Sequence, residues 1–272
     1  MIGIIGQGFV GNAVYQKFKE HYSVLTYDID KSKANASLDT LMKSSKVIFV
    51  CLPTPMNPDG SCNVSIIEGV LEQLNEYENK IIVVKSTIPP GTTKRFNETY
   101  NNLNVVFNPE FLTERNAVKD YENQTRIILG GDTSATTMLK GIFSNVFPNA
   151  KMVKTDSTHA EMVKYLTNTF LSVKVSFANE IYQLCKVMGI DYDKVIEYAI
   201  YDERLGNSHW SVPGPDGDFG FGGHCFPKDL SALLHITHNN ETISNVLRGA
   251  LTTNNEVRND RDWEGMKGRA VI

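Results

Sequence analysis

The sequence is poor in cysteine, poor in excess positive charge and free of long apolar runs, and each shortage excludes a class of protein. Its four cysteines, Cys51, Cys62, Cys185 and Cys225, form no C-x-x-C pair and have no histidines at ligand spacing. Neither a disulfide framework nor a structural zinc site is signalled, and no metal is expected. Lysine and arginine number 27 against 31 acidic residues, a net charge of -4 with no polybasic run. Nucleic acid and anionic membrane surfaces need a basic stripe, so neither is expected as a partner. The longest wholly apolar stretch runs from Val47 to Leu52, far short of the roughly 20 residues that span a bilayer. The chain also opens on a strand pattern, not a charged-then-apolar leader, and is read as soluble, unprocessed and cytoplasmic. No repeat or low-complexity tract is visible.

A chain of 272 residues can bury one large or two smaller cores. Up to about residue 155, short apolar runs alternate with amphipathic stretches, the pattern of a parallel sheet covered by helices. Strands are predicted at Ile2–Ile5, Ser23–Tyr27, Val47–Cys51, Ile81–Lys85, Val105–Phe107 and Arg126–Leu129, with a weaker one near Met152–Val153. Helices are predicted at Val10–Lys19, Asn63–Leu74 and Thr136–Phe143. The expected fold class is α/β: a Rossmann-like, doubly wound parallel sheet over residues 1–155. Residues 156–272 then read as a long central helix and a small helical region. That helix is predicted from Ser157 to Met188, ending at Gly189. Its apolar positions cover too much circumference for one core-facing stripe, which points to burial on two sides, one of them against a second subunit. Shorter helices are expected at Tyr192–Ile200, Leu230–His238 and Ile243–Val257. Between them lies a long Gly-, Pro- and Asp-rich loop, 206–223, of the kind that usually serves function.

Three motif groups carry chemistry. Gly6-Gln-Gly8-Phe9-Val10-Gly11 follows a strand and opens a helix, and the next strand ends at Asp28. Alone the pattern is weak, but this context is the one a dinucleotide fingerprint requires. The glycines permit a tight turn and close approach of a pyrophosphate held at the helix N-terminus. Asp28 would accept hydrogen bonds from a ribose and repel a 2′-phosphate, so the expected cofactor is NAD. Lys33 either neutralises cofactor phosphate or is simply solvated. The predicted strand ends Cys51-Leu-Pro-Thr54-Pro, Lys85-Ser-Thr87-Ile-Pro-Pro-Gly and Asn108-Pro-Glu110-Phe111-Leu112-Thr-Glu114 should line the cofactor crevice. Their prolines also suit plain turns. On the long helix, Glu161, Lys164 and Asn168 recur at spacings of three and four. They form either a solvated stripe or a set in which Lys164 and Asn168 donate to one oxygen.

Phe219-Gly-Phe-Gly222-Gly-His-Cys225-Phe-Pro-Lys228-Asp229 places Cys225 at the start of a helix that Pro227 pre-sets. Helix-terminal charge and Lys228 three residues on would favour the thiolate. The alternative is a buried, inert cysteine beside a glycine turn, the reading given to Cys62 and Cys185, which have no such company in the sequence.

Taken together, GQGFVG, CLPTP, KSTIPPGT, NPEFLTE, EMVKYLTNTFLSVKVSFANE, YDERLG and FGFGGHCFPKD resemble the UDP-glucose/GDP-mannose dehydrogenase family over nearly the whole chain. The resemblance implies oxidation of a nucleotide-sugar C6 alcohol to a carboxylate, with UDP-glucose to UDP-glucuronate first in line, by two hydride transfers to NAD. It implies Cys225 as the nucleophile, Lys164 and Asn168 as oxyanion donors, and Asp229, Thr87 and Glu110 as water-positioning groups. Glu114 is implied as the proton-handling residue. Gly6, Gly8, Phe9, Val10, Gly11, Asp28, Lys33, Thr54, Thr87, Glu114 and Lys228 are assigned to the cofactor. Phe111, Leu112, Lys164, Asn168, Arg204 and Gly222 are assigned to the nucleotide-sugar. A homodimer through the long helix is implied as well. Two departures from the family pattern stand out. The short interval from Asp28 to Cys51 is expected to lack a helical excursion on the adenine side, and the sequence stops at Ile272, where the family continues into a UDP-binding domain. The chain is therefore expected to be a short form.

Two other readings fit the same residues. A β-hydroxyacid-type dehydrogenase would use Lys164 and Asn168 for a single hydride transfer, yield one NADH per turnover and be indifferent to Cys225. A non-catalytic nucleotide-binding remnant would have no need of a thiol nucleophile.

Overall fold

A computed structural model describes all residues, Met1–Ile272. The order of elements is β1 (Ile2–Ile5), α1 (Phe9–Phe18), β2 (Val24–Tyr27), α2 (Leu38–Ser44), β3 (Val47–Val50), α3 (Ser65–Leu74), β4 (Lys80–Val84), α4 (Thr92–Thr99), β5 (Leu103–Phe107), α5 (Ala117–Glu122), β6 (Arg126–Gly130), α6 (Thr133–Val146), β7 (Lys151–Thr155), α7 (Ser157–Met188), α8 (Tyr192–Ala199), α9 (Phe226–Asn239) and α10 (Asn245–Val257). Two compact units result: residues 1–54 with 64–164, and residues 55–63 with 165–272. No helix is long and apolar enough to cross a membrane.

In the first unit seven strands form one sheet in the order β2-β1-β3-β4-β5-β6-β7. β2, β1, β3, β4 and β5 run parallel, in registers such as Ile4 opposite Thr26 and Phe49. Because β1 is flanked by β2 on one side and β3 on the other, the strand order reverses there. In such sheets the crevice beyond the carboxyl ends of the strands is where ligands bind. One apolar layer centres on Phe18, Phe49, Phe143 and Tyr121, the other on Leu41, Ile67, Phe96 and Phe107. Strands covered on both faces read as the continuous apolar runs that the sequence shows.

The sheet departs from the all-parallel expectation at one junction. β6 is antiparallel to β5, meeting it in register at Phe107 and Gly130, and β7 runs parallel to β6. The connection between β5 and β6, residues 108–125, carries the six-residue α5. The short Asp28–Cys51 interval, from which a helix is expected to be absent, holds a 3-10 turn at Lys31–Lys33 and then α2. Ser37 caps α2 by accepting the Thr40 N–H at 3.1 Å. Helices α4 and α5 also lie where no helix is predicted, and α4 has a single buried large apolar residue, Phe96. Its start is held from a distance: Glu161 accepts the Gly91 and Thr93 N–H groups and the Thr93 hydroxyl. α6 begins three residues before its predicted start because Asp132 caps it.

α7 extends over 32 residues, about 48 Å at 1.5 Å per residue, with residues 157–164 in the first unit and the remainder in the second. It stops at Gly189, whose φ of +69° suits glycine, with the Ile190 N–H bonded to the Cys185 carbonyl. Two small apolar clusters hold this unit. One gathers Ala178, Cys185, Tyr192 and Val212, the other Phe221, Leu230 and Ala250. Residues 55–63 join it as a turn in which Met56 bridges both Cys62 and Val271.

Candidate active site

In the first unit the fingerprint turn is built as its glycines require. Gly6 has φ of +89°, and a Cβ on it would lie 2.5 Å from the Cys51 carbonyl oxygen; a Cβ on Gly11 would lie 1.8 Å from that of Gly6. Gly8 precedes α1, carries no capping side chain and has open space where a Cβ would stand. The N–H groups of α1 therefore face an uncrowded opening, a suitable cradle for an anion. The Asp28 carboxylate accepts the N–H groups of Gln7 at 2.6 Å and Asp30 at 2.9 Å. A groove of about 550 Å³ beside it is lined by Gln7, Gly8, Phe9, Asn12, Tyr15 and the 32–35 segment. Lys33 is on that rim, exposed and 3.4 Å from Asp30. These residues fit a dinucleotide: glycine clearance and helix N–H groups for the pyrophosphate, and a carboxylate for the ribose.

The ends of β3, β4 and β5 are bound to one another. Thr54 donates to the Thr87 carbonyl at 2.8 Å with both residues buried, and Ser86 both donates to the Leu52 carbonyl and accepts the Leu52 N–H. Beyond β5, Glu110 accepts the Leu112 N–H through Oε2, while Lys164 donates to its carbonyl oxygen at 2.6 Å and to its Oε1 at 3.1 Å. Phe111 lies under two cations, with the Lys164 ammonium 5.4 Å and the Arg126 guanidinium 4.4 Å from the ring centroid. Glu114 is exposed on a 3-10 turn at Glu114–Asn116.

In the second unit Cys225 is the residue immediately before α9, with Pro227 in the first turn. It is half-buried, and its carbonyl accepts the Asp229 N–H. The fully buried Asp229 carboxylate is shared: Asn168 Nδ2 donates to Oδ2 at 2.6 Å and Lys228 Nζ to Oδ1 at 2.5 Å. Burial works against the Lys228 charge, but Asp229 together with the Cys62 and Cys225 thiols outweighs it and holds the ammonium above its ordinary range. Cys62 and Cys225 therefore both lie close enough to Lys228 to act on its charge. Cys62 thus has company that its sequence neighbours do not reveal. Cys185 packs in the core.

Residues 33–147 match the NAD binding domain, and residues 158–256 the central domain, of the UDP-glucose/GDP-mannose dehydrogenase family. The chain belongs to that family. A UDP-glucose 6-dehydrogenase of Rickettsia bellii is 32% identical over 251 residues, covering 89% of this chain and 57% of its own length. The solved UDP-glucose dehydrogenase of Pyrobaculum islandicum superposes with a TM-score of 0.84 at 27% identity, covering 94% of this chain and 68% of that one. A GDP-mannose dehydrogenase of Pseudomonas aeruginosa gives 0.65 at 26% identity, with the same coverage. The chain spans a little over half the length of the curated relatives it matches.

The matched NAD binding domain lies almost wholly within the first unit, and NAD is the cofactor it names. Several site residues escape sequence reasoning. Lys85 is buried and donates to Asn108 Oδ1 at 2.8 Å, and Asn108 in turn donates to the Ile128 carbonyl. Burial pulls the Lys85 ammonium down to about 8; Cys51 and Glu110 oppose the shift and Lys164 adds to it. The same burial pushes the Cys51 thiol up to about 12. Glu161, grouped by spacing with Lys164 and Asn168, is instead spent on capping α4. All three are buried, so the solvated-stripe alternative does not hold. Arg204 lies on an exposed 3-10 turn, paired with Asp202. At Gly222 the space a side chain would occupy is filled by the Arg258 guanidinium, 2.2 Å from a hypothetical Cβ.

Proposed function

We propose that this chain oxidises the C6 alcohol of a nucleotide-sugar to the carboxylate through a covalent intermediate on Cys225, with UDP-glucose to UDP-glucuronate the first reaction to test. The observation that carries the reading is the Cys225 environment: a thiol at the head of α9, beside Lys228, next to a buried Asp229 that bonds Asn168.

Bound NAD supplies the hydride acceptor, and the Asp28 carboxylate and the α1 N–H groups are assigned to hold it. Lys164 and Asn168, four residues apart on α7, are assigned the C6 oxygen, where their donors stabilise negative charge as the alcohol becomes an aldehyde. The Cys225 sulfur then attacks C6, and the oxygen takes up a proton to give a thiohemiacetal. Transfer of a second hydride to a second NAD, with the hydroxyl proton passing to water, leaves a thioester. Water, which Thr87, Glu110 and Asp229 are assigned to orient, adds to it and expels the Cys225 thiolate, and Glu114 is assigned its proton. Two NADH form per sugar. A Cys225→Ser enzyme given UDP-glucose and NAD is expected to lose at least about 1,000-fold in kcat, since its alkoxide is a far poorer leaving group. Full activity in that variant would sink the covalent mechanism, and one NADH per turnover in the wild type would favour the single-hydride alternative.

The same reading assigns the outer face of α7 to a second copy of the chain. Leu166, Phe170, Phe177, Leu184 and Met188 are each more than half exposed and recur at spacings of four and seven, the repeat of a helix–helix seam. Light scattering should give twice the 30.4 kDa chain mass; a mass of one chain at micromolar concentration would refute it.

A further inference from the structure

Arg258 follows α10 directly, and its side chain is 3% exposed. An arginine so buried is tolerated only when its donors are met, and here acidic groups and carbonyls converge on it. Asp216 lies 2.7 Å from Nη1, Asp218 3.6 Å from Nε and Asp262 3.3 Å from Nη2, while the Asp260 carbonyl accepts from Nε at 2.6 Å. All three carboxylates also bind backbone, Asp216 by accepting the Asp218 N–H at 3.3 Å. Asp218 accepts the Asn259 and Asp260 N–H groups. Asp262 accepts the Gly223 N–H with both oxygens, at 3.1 and 3.0 Å. Gly223, at φ of +70°, stands two residues before Cys225.

The neighbouring residues are held by the same device. Asn254 on α10 accepts the Phe221 N–H at 2.6 Å and donates to the Phe221 carbonyl, and Asn179 on α7 accepts the Gly220 N–H. A Cβ at Gly220 would lie 2.2 Å from Asn254 Oδ1. From Gly220 to Gly223 the backbone is thus fixed by side chains of α7, α10 and the segment after α10, with glycine wherever those side chains need room. Three carboxylates around one guanidinium exceed what charge balance requires. What the surplus carboxylate of Asp262 does is hold the peptide that leads into the cysteine.

We propose that Asp262, held in place by Arg258, is a positioning residue for the Cys225 nucleophile. It fixes the Gly223 peptide, and through it the angle at which the cysteine enters the first turn of α9. The thiol's exposure to Lys228 and to the helix N-terminus depends on that angle, so thiol reactivity is set in part from the segment that follows α10. This inference rests on the nucleophile reading of Cys225.

The test compares Asp262→Ala, which removes the acceptor, with Asp262→Asn, which keeps an oxygen for the Gly223 N–H and loses the charge, and with Arg258→Lys. Alkylation of the Cys225 peptide by iodoacetamide is followed by mass spectrometry from pH 6 to 10, alongside steady-state kinetics and melting. For Asp262→Ala the alkylation midpoint should move toward that of an ordinary thiol, and kcat should fall at least tenfold with KM for NAD within twofold. Asp262→Asn should recover most of both, and Arg258→Lys should lie between. A folded Asp262→Ala protein with the wild-type alkylation profile and kcat would overturn the proposal. So would an Asp262→Asn protein as impaired as the alanine variant. If Asp262→Ala does not fold, Arg258→Lys decides alone, and an unshifted alkylation profile there overturns the proposal. Full activity in Cys225→Ser would instead remove the nucleophile reading itself, so the two failures are distinguishable.

Discussion

The two units are held together by different physics. The first is a sheet between two apolar layers, where Phe18 packs edge-on against Phe49 and Phe143 at centroid distances of 4.9 and 5.5 Å, and all three rings are fully buried. The second has two small apolar clusters, and its long loop is fastened by Asn179, Asn254 and Arg258. A non-directional core tolerates rearranged contacts as long as volume is kept. A polar clamp does not, because losing one partner leaves a buried group unpaired. The unit proposed to hold the nucleophile is thus the one whose backbone is specified by direction, which suits a thiol whose position matters to a few tenths of an ångström.

The largest expected effect sharpens this contrast. Phe18→Ala should cost about 3–5 kcal/mol, and Asn254→Ala, which unpairs the Phe221 N–H and carbonyl, about 2–4 kcal/mol. Hydrogen exchange should localise the first loss to the sheet amides and the second to residues 214–223. Equal loosening of both regions by either change would break the comparison. The smaller effect concerns pH. The Asp260 N–H first, then Asn259, Phe219 and Arg258, hold the Asp218 carboxyl down from 3.8 to about 2. A depressed carboxyl contributes stability that is present above its unfolded value and lost as pH falls through the folded one. Between pH 4 and 2 the wild type should therefore lose about 1–2 kcal/mol more than Asp218→Asn. Parallel acid denaturation curves for the two proteins would show that the clamp does not depend on this charge.

Much of the architecture is legible in the residues because it rests on local signals. The apolar strand runs, the glycine fingerprint and the 32-residue helix from Ser157 to Met188 each follow from spacing and turn chemistry, and the start of α9 follows from Pro227. Helices α2, α4 and α5 are hidden for the complementary reason. They are short and weakly periodic, and α4 takes its cap from Glu161, some 70 positions away. Direction along the sheet is hidden too, since an apolar strand reads alike in a parallel and an antiparallel neighbour, as β6 shows.

The residue types of the site are likewise set by sequence: a cysteine after glycines and before proline, and a lysine and an asparagine one helical turn apart. Their partners are a tertiary matter. That Glu110 takes Lys164, that Asp229 takes Asn168, that Cys62 acts on the same lysine as Cys225, and that Lys85 is buried with its charge weakened all depend on residues far apart in the chain. Local propensity specifies where an element begins and which face is apolar. Which charge meets which, and how much water is left around it, is decided only when the elements pack, because both burial and Coulomb attraction are properties of distances in space.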